Sequence, residues 1–176
     1  MEFFDVISAR RSVRAYQQIG VGRDKLERIL ATANTAPSAG DLQGYEIVVV
    51  QRAAIKSSLV NAAYGQSFLA EAPLVLVFFA DPSRSAARYE ARGERLYSIQ
   101  DASIAAAHAQ LAATALGLGS CWVGAFDERR VAQILGAPAG LHPVSMLAIG
   151  YAAERPEPTS RRQLSELVHY ETFQTA

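Results

Sequence analysis

The chain has 176 residues and half of them are apolar, enough for one domain with a sizeable core, and its 19% of charged residues argues against intrinsic disorder. Lys+Arg and Asp+Glu both number 17, so there is no excess of positive charge for a nucleic-acid partner. A lone Cys121 excludes an internal disulfide or a CxxC pair, and no uninterrupted apolar run is long enough to read as a membrane span.

In chain order, Phe3 to Ala9 reads as a short helix. The acids Glu2 and Asp5 at its start are wrong for a secretory signal, so a cytoplasmic location is expected. It ends in a basic cluster, Arg10-Arg11-Ser12-Val13-Arg14. A second helix is expected from Arg23 to Ala36, with Leu26, Ile29, Leu30 and Ala33 at helical spacing and Pro37 as its stop. Turn residues follow, Pro37-Ser38-Ala39-Gly40-Asp41. Tyr45 to Gln51 reads as a buried strand, Ala53 to Ala63 as a helix, and Pro73 to Ala80 (PLVLVFFA) as a second buried strand.

Asp81 to Tyr97 carries Arg84, Arg88, Arg92 and Arg95 at near-helical spacing and reads as a solvated surface helix or flap. Ser98 to Leu118 is the longest expected helix; Ser103, Gln110 and Thr114 fall on one narrow polar stripe, Asp101 and His108 on a second on the opposite side, and nearly everything else is Ala, Leu or Ile. A helix about 30 Å long and apolar around its circumference needs cover on most sides, and a homodimer supplies it. Ser120 to Phe126 and Pro143 to Tyr151 read as two more strands, with a short helix from Glu128 to Leu135 between them. Trp122 is expected in the core. The tail is polar and broken by Pro156 and Pro158, then carries Arg161-Arg162 and a weakly amphipathic stretch from Leu164 to Phe173. Helices followed by strands alternating with helices give an α+β or α/β layered fold.

Several motifs are absent or inverted. Gly117, Gly119 and Gly124 follow a helix and precede or end a strand, the reverse of a dinucleotide fingerprint. There is no P-loop, HExxH or GxSxG, and His108, His142 and His169 have no metal-ligand spacing. The basic cluster around Ser12 is the densest donor set. Arg binds phosphate bidentately, and a hydroxyl between arginines suits one terminal phosphate. The cluster also reads as favourable positive charge at the end of the first helix.

Six segments in this order resemble the nitroreductase-like family of FMN-dependent oxidoreductases: ARRSVRAY (9–16), APSAGDLQ (36–43), EAP (71–73), the run from Ile99 to Glu128, LAIGYAAE (147–154) and RRQLSELVHYE (161–171). The resemblance covers nearly the whole chain. It implies an α+β fold over 1–176, a mostly antiparallel central sheet flanked by helices, built as an intertwined homodimer with FMN sites at the interface. Arg10, Arg11, Ser12, Arg161 and Arg162 are then expected at the FMN phosphate and polar edge, with Arg14 at the N1/C2-carbonyl edge. Pro37, Ser38, Ala39 and Asp41 would come from the partner subunit. Gln66 is placed on the pyrimidine ring, and Gly124 and Ala125 beside flavin N5. The loop departs from the family at Asp41, where Asn is usual, and at Gly44-Tyr45, where Pro-Trp is common.

The implied activity passes hydride from NADH or NADPH through flavin N5 to a nitroaromatic, quinone or similar small acceptor, by a ping-pong mechanism. The Asp81 to Tyr97 flap, Tyr64, Phe68 and Phe126 are expected to line the acceptor pocket; aromatic core packing is the other reading of Phe68 and Phe126. A flavin-binding module without turnover, a flavin-destructase or dehalogenase-type relative, and a small dimeric domain without flavin are the alternatives. No metal, nucleic acid or membrane is implied.

Overall fold

The structure, a computed structural model, describes residues 2–173. Four strands form one sheet: β1 (Tyr45–Val50), β2 (Leu74–Ala80), β3 (Gly119–Val123) and β4 (His142–Gly150). Their order is β1-β2-β4-β3 and every neighbouring pair is antiparallel. Seven helices flank it: α1 (Phe3–Ala9), α2 (Arg23–Asn34), α3 (Ala53–Ala62), α4 (Phe68–Glu71), α5 (Pro82–Arg92), α6 (Ser98–Ala115) and α7 (Glu128–Leu135). This is the expected α+β architecture. No helix among the described residues is long and apolar enough to cross a membrane.

The unbroken apolar run of β2 is explained by its place. It lies between β1 and β4, and helices cover both faces, so all seven residues are buried. Val75, Val77 and Phe79 face α3 and α7 together with Val123, Met146, Leu59 and Val131. Leu74, Leu76 and Phe78 face α2 and α6 together with Leu147, Ile149, Ile29 and Ala109. The β2–β4 register shifts between Phe78 and Phe79.

Helix ends follow local chemistry. Asp127 caps α7 by accepting from the Arg130 N–H at 3.0 Å, and Gly136, at φ +63°, turns the chain off that helix. Helix α2 stops at Asn34, two residues before the expected end, because Pro37 disfavours helical geometry in the residue ahead of it. The arginine-rich segment is indeed a surface helix, α5, and it runs through a π-turn (Gly93–Tyr97) into α6.

Three expectations are corrected. Strand β1 is only half-buried, with Val49 exposed, because it is an edge strand. Trp122 is 36% exposed and not in the core. Cys121 and Val123 take the inward face of β3, which leaves Trp122 on the opposite face of the sheet's other edge, where cover is incomplete. The tail from Leu164 to Phe173 holds one 3-10 turn (Leu164–Glu166) and is exposed throughout.

Candidate functional site

The basic motif is carried on an extended segment laid along the β3–β4 edge. Ser12 bridges to Ser120 and Tyr16 to Ala152. The Val13 N–H donates to the Ser120 carbonyl at 2.9 Å, and the Gln17 N–H to the Tyr151 carbonyl at 2.9 Å. Two glycines make this approach possible. A Cβ on Gly119 would stand 2.9 Å from Val13, and one on Gly150 would stand 2.5 Å from Pro73 and 2.9 Å from Tyr16. The buried Tyr16 hydroxyl donates to the Val13 carbonyl at 2.6 Å and contacts the Ala148 carbonyl at 3.2 Å. Burial pushes its pKa far above the ordinary tyrosine value.

From this segment the donors converge. Arg10, Arg11, Ser12 and Arg14 line one cleft of about 300 Å³ with Ser8, Thr159 and Arg161. Among the described residues the only ion pairs are Arg23–Glu27 and Arg162–Glu166. Arg10, Arg11, Arg14 and Arg161 therefore form no ion pair among the described residues, although Glu157 also lines the cleft. Arg162 is turned to Glu166 instead, donating to its carbonyl at 2.7 Å, and does not line the cleft.

Arg14 links the cleft to a second group. Its guanidinium carbon lies 5.9 Å from the centre of the Phe68 ring, on α4. Just before α4, Gln66 donates through Nε2 to the Ala125 carbonyl at 2.9 Å. The exposed pair Gly124-Ala125 follows the end of β3. The fold thus brings Arg14, Phe68, Gln66, Ala125 and Gly124 into one contiguous run. Tyr64 is exposed nearby in sequence, with a positive φ of 55°. Phe68 and Phe126 are buried and belong to the core cluster, so packing is part of their role. Phe126 also lines, with Gly124 and His142, a separate cleft of about 280 Å³.

The loop with Pro37, Ser38, Ala39 and Asp41 does not join the arginine cleft within one chain. It lies against α5 and α6, where Ala39 donates to Asp101 and Arg88 to the Gly40 carbonyl. Asp41 is exposed and unpaired among the described residues.

The donor set fits FMN. Clustered guanidinium groups and a serine match a phosphate ester at one end, and a run of small, exposed backbone at Gly124-Ala125 leaves a ring face uncovered at the other. Two residues of the site went unread in the sequence. Glu154 accepts from the Arg14 and Ala15 N–H groups at 2.5 and 3.2 Å and so pins the basic motif. Asp101 does the same for the loop. Its only signal was a lone acid in an alanine-rich helix.

An antiparallel α+β fold with an arginine-lined cleft beside a sheet edge has the chemistry to receive an anionic group at its surface. The family model for the nitroreductase family matches residues 7–67 and 56–151. An NADH dehydrogenase of Thermus thermophilus is 36% identical over 90% of this chain and 91% of that protein. An FMN reductase [NAD(P)H] of Bacillus subtilis is 29% identical over 98% of this chain and 74% of its own length. Among solved structures, NfrA2 of B. megaterium superposes with a TM-score of 0.91 at 28% identity, covering 99% of this chain and 76% of that one. The chain belongs to the nitroreductase family.

Proposed function

We propose that the chain is an FMN-dependent NAD(P)H oxidoreductase, one nitroreductase-like domain over residues 1–176 that works as a homodimer. The cleft where Arg10, Arg11, Ser12, Arg14 and Arg161 converge, four arginines against the single acid Glu157 and none of them ion-paired among the described residues, carries the reading. The family membership and the FMN and NAD(P)H named for the relatives support it. When bound, FMN would supply the redox chemistry, hydride transfer through N5 from NADH or NADPH to a nitroaromatic, quinone or similar acceptor.

The chain's own residues bind and orient. Arg10, Arg11, Ser12 and Arg161 hold the phosphate, and Arg162 joins them once its contact with Glu166 opens. Arg14 places fixed positive charge at the ring edge where charge develops on reduction. Gln66 would hold the pyrimidine end, and the backbone N–H groups of Gly124 and Ala125 would hold the ring at N5. Pro37, Ser38, Ala39 and Asp41 come from the partner subunit. Tyr64, Phe68 and Phe126 border the acceptor. No side chain serves as a general base.

Exposed apolar surface supports the dimer. Ile99 and Ile104 on α6 and Phe3, Phe4 and Ile7 on α1 all stand in solvent in the single chain. The reductant, an intracellular dinucleotide, supports a cytoplasmic location.

The test is an absorption spectrum of the purified protein with the released chromophore identified by mass. FMN near one per chain is expected. Reversing charge at Arg10→Glu and Arg14→Glu should abolish flavin binding and leave the dimer intact. A colourless protein that also refuses added FMN overturns the proposal.

A further inference from the structure

The segment from Pro37 to Gly44 is held in place by a single carboxylate. Asp101, in the first turn of α6, is 2% exposed and receives two backbone N–H groups. Ala39 donates to Oδ1 at 2.9 Å and Gly44 to Oδ2 at 3.2 Å. Between these anchors the backbone is strained, since Asp41 and Gln43 share a positive φ (58° and 50°) with Gly40 (58°), and only glycine adopts it freely. The anchors bracket that stretch. Arg84 and Arg88 of α5 grip its carbonyls, at Leu42 and Gly40.

Gly44 is fitted to its bond. A Cβ there would collide with Ser85 Oγ and lie 3.3 Å from Asp101 Oδ2. A proline there would have no N–H to donate. No lysine or arginine is ion-paired to Asp101 among the described residues. A buried carboxylate is costly unless its oxygens are hydrogen-bonded, and here both are committed to the loop.

We infer that Asp101 is a positioning residue for the flavin: by fixing Ala39 and Gly44 it sets where Ser38, Ala39 and Asp41 stand, and so how tightly the site of the partner subunit closes on FMN. This rests on the reading above, in which the loop meets the flavin bound by the partner subunit. Asn in place of Asp101 keeps the shape but offers a donor to one of the two N–H groups.

The experiment compares wild type with Asp101→Asn and Asp101→Ala by two readouts. One is the FMN dissociation constant, from flavin fluorescence. The other is hydrogen exchange at Ala39 and Gly44 in the flavin-free protein. Lys25→Ala is the control, because Lys25 donates to the Leu116 carbonyl at the far end of the same helix region. Asp101→Asn should weaken FMN about tenfold, as expected for an unpaired buried donor, and speed exchange at both amides. Lys25→Ala should lower Tm yet leave FMN affinity within about twofold.

Unchanged FMN affinity in Asp101→Asn overturns the inference. So does a loss of affinity that merely tracks the Tm loss across all variants. A wild type that binds no FMN sinks the proposed function instead, and the exchange data then decide on the loop anchor alone. If Asp101→Ala does not fold, the isosteric Asn variant carries the test.

Discussion

Asp81 shows how one side chain starts an element. Its carboxylate accepts from the Arg84 N–H at 3.1 Å and from Ser83 Oγ at 2.6 Å, capping α5 directly ahead of Pro82. Burial alone would raise its pKa, but the hydrogen bonds from Ser83 and Arg84 outweigh it and hold the group below the ordinary Asp value. A carboxyl lowered by folding adds stability above its unfolded value, and that stability is lost as pH falls through the lowered one. Asp81→Ala should therefore cost about 1 kcal/mol near neutrality, and its Tm gap from wild type should close in acid. A constant gap across pH would show that the charge is not involved. At this scale the arginines were legible, because their chemistry is evident from residue type and clustering. Glu154 and Asp101 were not, since the Arg14–Glu154 and Ala39–Asp101 bonds span 140 and 62 residues and leave no local pattern.

Among the elements, the clearest signal was the apolar run of β2. Phe78, fully buried between the sheet and α6, makes the point measurable: Phe78→Ala should destabilise by about 3–5 kcal/mol in denaturant unfolding, with no change in the surface donors. Strand β1, apolar apart from Tyr45 and Glu46, misled, because composition does not say which strand is last in the sheet. Trp122 misled for the same reason on the other edge. The loop after α2 was recognisable as turn residues, yet its positive φ at Asp41 and Gln43 was not, because neither residue type demands it. The amphipathic pattern of Leu164 to Phe173 found nothing to pack against in its own chain and remains an exposed coil with one turn.

For the whole molecule, the alanine-rich α6 is satisfied on one side only. It packs on α2 and the sheet through Ala102, Ala105, Ala109 and Ala113, while Ile104 stays 36% exposed. On the proposed dimer, in which each site draws on both chains, Ile104→Asp should shift the protein to a monomer by light scattering and lose FMN with it. A dimer that survives the substitution places the interface elsewhere.

The same chain carries a chemical economy that bears on its acceptors. A quinone is an electrophile as well as an oxidant, and it arylates thiols and amines. This protein has one cysteine and two lysines. Cys121 is buried, and burial pushes its thiol up, away from the reactive thiolate. Lys56 is buried with its ammonium on the Ala70 and Ala72 carbonyls, and that of Lys25 is bound to the Leu116 carbonyl. With surface cations supplied by arginine, whose guanidinium stays protonated, the protein would present few side chains for a quinone to alkylate if it takes one as the proposed acceptor.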